Sequence, residues 1–368
     1  MTLEASLPIF RPRRFLHNGH LQTILGNYLR RVDTLSPATA HLVEVAPAEP
    51  GRPASHVLCH CHLQPLEVRA SRPTAIIVHG LEGSSSSQYV VGNANKLWAA
   101  GCNVVRMNMR NCGGTEQLAS TLYHSGLSGD VESVMRFFIT RYGLRSIALI
   151  GYSMGGNLVL KLAGDLAVSA PPELKCVIGV SPAIDLGPSA DALHEPLNRI
   201  YEMKFLRSLL ARFRRKAALF PELYDPARAF GVRTLREFDD RITAFYAGFD
   251  GASDYYFRAA AARVIDRIAI PALVIHAVDD PFVRLTRGSR DVMVASPYIS
   301  YLETAHGGHC AFLADPDLDP NDDGYWAEGT LLRFLLAAHR GEPTPGQSGK
   351  CPRLEDPKCL VPEIDGLD

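Results

Sequence analysis

Three residue types that together can make a hydroxyl nucleophilic occur in this chain in a workable order. The first is Ser153, set in Gly151-Tyr152-Ser153-Met154-Gly155-Gly156. A serine hydroxyl is a poor nucleophile until a base takes its proton, and the base needs an acid to hold its tautomer and stabilise its cation. The apolar run SIALIG (146 to 151) precedes the serine, and Asn157 to Ala167 follows with Leu158, Leu162 and Leu166 at helical spacing. Strand, sharp turn, helix is the context in which G-x-S-x-G forms a nucleophile elbow. Side chains at 151 and 155 would collide with the adjoining strand and helix, and the helix aims its positive end at the reaction site. The bland alternative is a glycine-rich turn that only packs helix on sheet.

The acid and the base follow downstream. Strand-like ALVIHA (272 to 277) runs into Val278-Asp279-Asp280-Pro281-Phe282-Val283. Asp280 is preferred, because D-P-F-V resembles a turn in which a catalytic acid precedes a proline and an apolar pair. Asp279 is second and Asp185 an outside candidate; whichever aspartate is not catalytic could cap a helix beginning at Val283. In Ala305-His306-Gly307-Gly308-His309-Cys310 two histidines compete. His309 is favoured, since two glycines let its loop reach across the sheet edge and an apolar run anchors it, leaving His306 as a neighbour or surface residue. An oxyanion would need preorganised donors. The backbone N–H groups of Met154 and of Leu81, in His79-Gly80-Leu81-Glu82-Gly83 after strand-like TAIIVH, are the candidates; a plain strand-ending turn is the alternative for His79-Gly80.

The elements that must hold these residues read as an α/β fold with a mostly parallel sheet. Short apolar runs (74 to 79, 102 to 109, 146 to 151, 176 to 181, 272 to 277, with a last at 298 to 302) alternate with helical stretches at 88–100 and 130–142. HLVEVA (41 to 46) and HVLCHCH (56 to 62) suggest an antiparallel pair at one edge. About 90 residues separate the runs ending at Ser181 and beginning at Ala272, far more than one crossover needs. Residues 185–265 are therefore expected to be a helical lid interrupting a single domain over 1–341, and 342–368, rich in proline, a loosely ordered tail.

Several longer pieces of the sequence carry a resemblance: FRPRRFLHNGHLQTI, VHGLEGSSSSQYV, NMRNCGGTEQL, YHSGLSGD, GYSMGGN, LHEPLNRIYEMKF, REFDDRITAFYAGFDGASDYY, VDDPFV and HGGHCAFL. Over about residues 8 to 340 the chain resembles the α/β-hydrolase superfamily, YheT-like branch. The resemblance implies Ser153 as nucleophile, Asp280 as acid, His309 as base, and cofactor-free hydrolysis of a carboxylic ester. Asn111 departs from the pattern, standing where branch members commonly carry glycine.

Composition narrows the remaining classes. Thirty-eight basic and 39 acidic side chains leave a net charge of -1, so no global field favours nucleic acid. No apolar run suits a bilayer crossing or a secretory signal, which makes the cytoplasm the default compartment. Eight cysteines without a C-x-x-C pair read as reduced thiols. His56-Val57-Leu58-Cys59-His60-Cys61-His62 looks like a zinc site, but a strand would send the cysteines and histidines to opposite faces, so no metal is expected. No phosphate-binding glycine motif is present. Lys204, Arg207, Arg212, Arg214, Arg215 and Lys216 form a basic stretch, read as a solvated helical face or, more sharply, as a weak contact with anionic lipid. The expected function is hydrolysis of a short- to medium-chain or lipid-like ester through an acyl-enzyme. An acyltransferase or thioesterase with the same residues, and a catalytically silent binding protein, are the alternatives.

Overall fold

Eight strands form one sheet in the computed structural model, which describes residues 9–35, 37–316 and 323–343. They are β1 Thr39–Ala46, β2 Ser55–His62, β3 Thr74–Val78, β4 Asn103–Met107, β5 Ile147–Tyr152, β6 Leu174–Val180, β7 Ala272–Ala277 and β8 Ile299–Thr304. Their order across the sheet is β1-β2-β4-β3-β5-β6-β7-β8. β2 runs antiparallel to both β1 and β4; the remaining neighbours are parallel.

The apolar runs follow from burial on both faces. Every residue of β3, β4, β5 and β7 is buried. Alternate side chains serve opposite sides, so Ile76 and Val78 join one core and Ala75 and Ile77 the other. Helices Ser128–Tyr142 and Met154–Leu166 cover the first side, and Gln88–Ala99 and Trp326–Arg340 the second. Phe138 and Phe334, one in each core, are fully buried; truncating either to Ala would cost about 3–5 kcal/mol.

Between β6 and β7 the chain leaves the sheet and forms helices Leu186–His194, Arg199–Leu219 and Ala252–Ala259, with a short helix Leu235–Phe238 running into a π-helical turn, Asp239–Ala244. β6 and β7 still pair in parallel, so the excursion leaves the sheet unbroken. The helices of this excursion are separated at Gly248 and Gly251, both at positive φ.

Other expectations need correcting. The basic stretch is not one solvated face: Lys204, Arg207, Arg214 and Arg215 are exposed, but Arg212 and Lys216 are buried. No helix starts at Val283; the next one is Arg287–Ala295, capped by the Thr286 side chain. The segment Gly19–Tyr28 forms a helix that was not among those expected, capped by Asn18 Oδ1, which accepts from His20 N (3.0 Å) and Leu21 N (3.2 Å). Cys59 and Cys61 of β2 are buried in the core, whereas His60 lies on the other face, with Nδ1 2.8 Å from Ser85 Oγ. From residue 344 on, the segment read as a tail lies outside the described residues. No helix among the described residues is long and apolar enough to cross a membrane.

Candidate functional site

Ser153 stands between β5 and helix Met154–Leu166 with φ 54° and ψ -118°, a conformation rare for a residue with a Cβ. Close packing holds it there. A Cβ at Gly151 would lie 2.1 Å from Gly155 O, and one at Gly155 would lie 2.3 Å from Val78 O, so neither position accepts a side chain without backbone movement. Ser153 N donates to Val180 O (2.9 Å), and Ala183 N donates to Ser153 O (3.2 Å). The elbow is thereby stitched to the end of β6.

The two aspartates divide between the two histidines. His309 Nδ1 lies 2.8 Å from Asp280 Oδ2, and His306 Nδ1 lies 3.4 Å from Asp279 Oδ2. Asp280 also accepts from Phe282 N (3.1 Å) and Val283 N (2.9 Å) through Oδ1, so one oxygen fixes its turn while the other faces the ring. Asp279 Oδ1 accepts from Gly308 N at 2.8 Å. Asp185 is committed elsewhere, accepting from Thr286 N (2.9 Å) and Ser289 Oγ (2.9 Å). Burial disfavours both the Asp280 anion and the His309 cation, but their mutual attraction outweighs it. Asp280 is held below the ordinary carboxylate value; His309, with the Cys310 thiol and Asp280 both raising it, is held above that of an ordinary histidine.

The His309 loop reaches the elbow through β6. Cys310 N donates to Ser181 Oγ (3.1 Å), one residue beyond the Val180 carbonyl that holds Ser153. No hydrogen bond joins the Ser153 hydroxyl to the His309 ring among the described residues; such contacts often tighten only with substrate bound. The ring packs 4.3 Å from that of Phe282, centroid to centroid. Phe282, Ser153, Leu81 and Met154 all line one pocket, whose walls are largely apolar side chains of the insertion, among them Leu193, Phe205 and Phe238.

The loop after β3 is built with equal care. A Cβ on Gly80 would sit 3.1 Å from Ser153 Cβ, which places this loop directly beside the serine. Neither Leu81 N nor Met154 N donates to an acceptor among the described residues. His79 braces the loop: its Nδ1 lies 2.7 Å from Gly80 O, and its Nε2 accepts from Met109 N at 3.1 Å. Burial pushes its pKa down to about 4, so it works as a neutral ring with the proton on Nδ1. Next comes Glu82 at φ 58°, paired with Arg212 (Nε to Oε1, 2.8 Å) and accepting from the Tyr123 hydroxyl (2.5 Å) and Ser208. Arg212 also donates to Asn111 O. Asn111 itself has φ 66°, which explains why asparagine can stand in for glycine there: it is among the few residues that tolerate the left-handed region.

Sequence reasoning missed the Glu82–Arg212 pair and the part played by the N-terminal segment. Thr23 Oγ1 accepts from His309 N (2.8 Å), while Gln22 donates to Leu313 O (3.1 Å) and accepts from Leu313 N (2.9 Å). The HNGHLQT run was a visible motif without an assigned purpose.

With this geometry in place, comparison with known proteins decides the family. Residues 73–316 match the family described as having the alpha/beta hydrolase fold. The chain is 32% identical over 339 residues to the YheT esterase candidate of Escherichia coli (strain K12), spanning 89% of this chain and 92% of that protein. This chain belongs to the α/β-hydrolase family, in its YheT-like branch. The hydrolase is also 27% identical to the phospholipase ABHD3 of Mus musculus and 27% identical to the monoacylglycerol lipase of Saccharomyces cerevisiae, covering 66% and 78% of its own length. It spans only 59% and 65% of those two relatives. Among solved structures, the 2,6-dihydroxy-pseudo-oxynicotine hydrolase shares its fold at a TM-score of 0.54 and 17% identity, covering 84% of this chain and 71% of that one.

Proposed function

We propose that this hydrolase cleaves carboxylic esters through Ser153, His309 and Asp280, with the oxyanion held by the N–H groups of Leu81 and Met154. The observation that carries the reading is the 2.8 Å contact between His309 and Asp280, with the His309 loop tied to the same strand end as the strained Ser153. In the reaction, Ser153 Oγ attacks the ester carbonyl while His309 Nε2 takes its proton. The negative oxygen rests between the two backbone N–H groups, and Asp280 stabilises the imidazolium. His309 then protonates the departing alcohol, and water repeats the sequence on the acyl-enzyme.

The residues 185–265 act in this reading as a lid on a single domain spanning 1–341. Their apolar side chains line the cavity beside Ser153, which suits an acyl chain better than a sugar or phosphate. Ester-cleaving names among the relatives, an esterase candidate and a monoacylglycerol lipase, point the same way. The test is p-nitrophenyl butyrate turnover and fluorophosphonate labelling of the wild type and of Ser153→Ala. The variant should keep the fold, lose labelling and lose at least about 10³-fold in kcat; retained turnover sinks the assignment. Product analysis with a competing alcohol separates hydrolysis from acyl transfer.

A further inference from the structure

The helix Gly19–Tyr28 is inverted relative to an ordinary surface helix. Gly19, Gln22, Thr23 and Gly26, at i, i+3, i+4 and i+7, face the protein. Gln22 is fully buried, and Cβ atoms at Gly19 and Gly26 would meet Asp279 O at 1.8 Å and Ala311 Cβ at 2.6 Å. Leu21, Ile24, Leu25 and Tyr28 repeat the same spacing on the other side and face outward, at 48%, 39%, 37% and 72% exposure. A helix normally turns its apolar stripe inward. Here the polar stripe holds the His309 loop and the apolar stripe is left to the exterior.

The stripe continues onto the insertion. Tyr201, on the helix Arg199–Leu219, stacks on His20 and lies within 3.1 Å of its Nδ1, while Lys204 Nζ sits 5.6 Å above the Tyr28 ring. Leu197, Ile200 and Met203 are exposed at this end of the insertion, among exposed His194, Glu195, Arg199 and Lys204. Phe15, just before the first helix, is exposed as well, with the Arg14 guanidinium 4.9 Å above its ring. The sequence bordering the patch supplies exposed cations: Arg13, Arg14 and Arg30 on the N-terminal side, Lys204 and Arg207 on the insertion. Nearby acids are occupied, Asp33 by Arg106 (2.7 Å) and Glu195 by Arg284 (3.4 Å). The patch is one layer from the cavity, because the Tyr201 ring also packs 5.2 Å from Phe282.

We infer that this two-helix apolar face docks on an anionic lipid surface, and that esters dissolved in such a surface are the substrate class. An apolar stripe bordered by cations is the composition of an interfacial helix, combining buried area with attraction to anionic headgroups. The choice of lipid rests on that charge complementarity. Docking stands independently of the chemistry, whereas the substrate class rests on the proposed ester hydrolysis.

The experiment is co-sedimentation with phosphatidylcholine vesicles, with and without phosphatidylglycerol, using the Ser153→Ala protein so that binding is read apart from turnover. Binding should rise with phosphatidylglycerol and fall with salt. Ile24→Glu/Leu25→Glu should lower the partition coefficient at least about tenfold. In the Ser153 background the same pair should leave p-nitrophenyl butyrate turnover unchanged but slow hydrolysis of a vesicle-borne ester. Ser153→Ala protein with the face intact that ignores both kinds of vesicle overturns docking. So does a homodimer, seen by analytical ultracentrifugation, that the pair dissociates without any vesicle binding, since the face would then serve a second copy of the chain. Vesicle binding without turnover of any ester retains docking and removes the substrate class.

Discussion

At the residue scale the site turns on which acid holds which base. Asp280 engages His309 and Asp279 engages His306 plus the Gly308 N–H, so the two aspartates are not interchangeable. Asp280→Asn should lower kcat by about 10³–10⁴-fold, while Asp279→Asn, which keeps an acceptor for Gly308 N, should cost no more than about tenfold. Steady-state kinetics on a soluble ester decides between them. In the proposed reaction His309 must be neutral to accept the Ser153 proton, so kcat/KM should climb with pH as His309 deprotonates. Because its pKa is raised, that climb should be centred above the ordinary histidine value of about 6.5. In Asp280→Asn the carboxylate is gone and burial pushes the other way, so residual activity should rise at lower pH. A pH–rate profile centred at or below 6.5 in the wild type contradicts this.

At the scale of elements, the insertion and the loop proposed to hold the oxyanion are joined by a buried ion pair. Glu82 directly follows Leu81, the proposed oxyanion donor, and is held at positive φ while bound to Arg212, which comes from the helix Arg199–Leu219. Removing one partner leaves an uncompensated buried charge, which costs about 3–5 kcal/mol. Arg212→Ala should therefore lower the Tm. Glu82→Gln, which keeps the shape, should lower kcat by roughly 10–100-fold with a smaller change in KM, because the donor position is set for the transition state. A change confined to KM would place the pair in substrate binding instead. The elbow is the other rigid element. Gly155→Ala forces a Cβ to 2.3 Å from Val78 O and should destabilise the fold by about 1–3 kcal/mol in urea titration.

At the scale of the whole molecule, a net charge of -1 hides sharply uneven surroundings. Lys216 is fully buried, its Nζ donating to the Glu116 (2.6 Å) and Ala119 carbonyls, and burial lowers its pKa to about 7. An unfolded chain keeps that proton to about pH 10.4, so between these values the unfolded state binds more protons and this residue's contribution to stability rises with pH. His309 acts oppositely: its raised pKa favours folding at low pH, and that contribution is lost as pH rises above the ordinary histidine value through the raised one. Comparing the pH dependence of Tm in the wild type and Lys216→Met from pH 7 to 10 isolates the lysine. The variant should lack a rising component present in the wild type; identical slopes would show that Lys216 titrates as in the unfolded chain.

Much of this protein was legible in its sequence, because the relevant constraints are local. Strands buried on both faces must be apolar throughout, and a serine held at positive φ between strand and helix requires small neighbours, so TAIIVH, SIALIG and Gly151–Gly155 stood out without coordinates. The order serine, acid, histidine is likewise written along the chain. Tertiary structure alone decided which aspartate faces which histidine, since adjacent residues on one turn differ only in where their side chains point. It also decided that Arg212 and Lys216 turn inward among exposed neighbours, because helical spacing states that two residues share a face but not what that face meets. The helix Gly19–Tyr28 shows the limit most sharply: its apolar stripe has regular spacing, yet only the packing of Gln22 and Thr23 against the His309 loop shows that the stripe points away from the core.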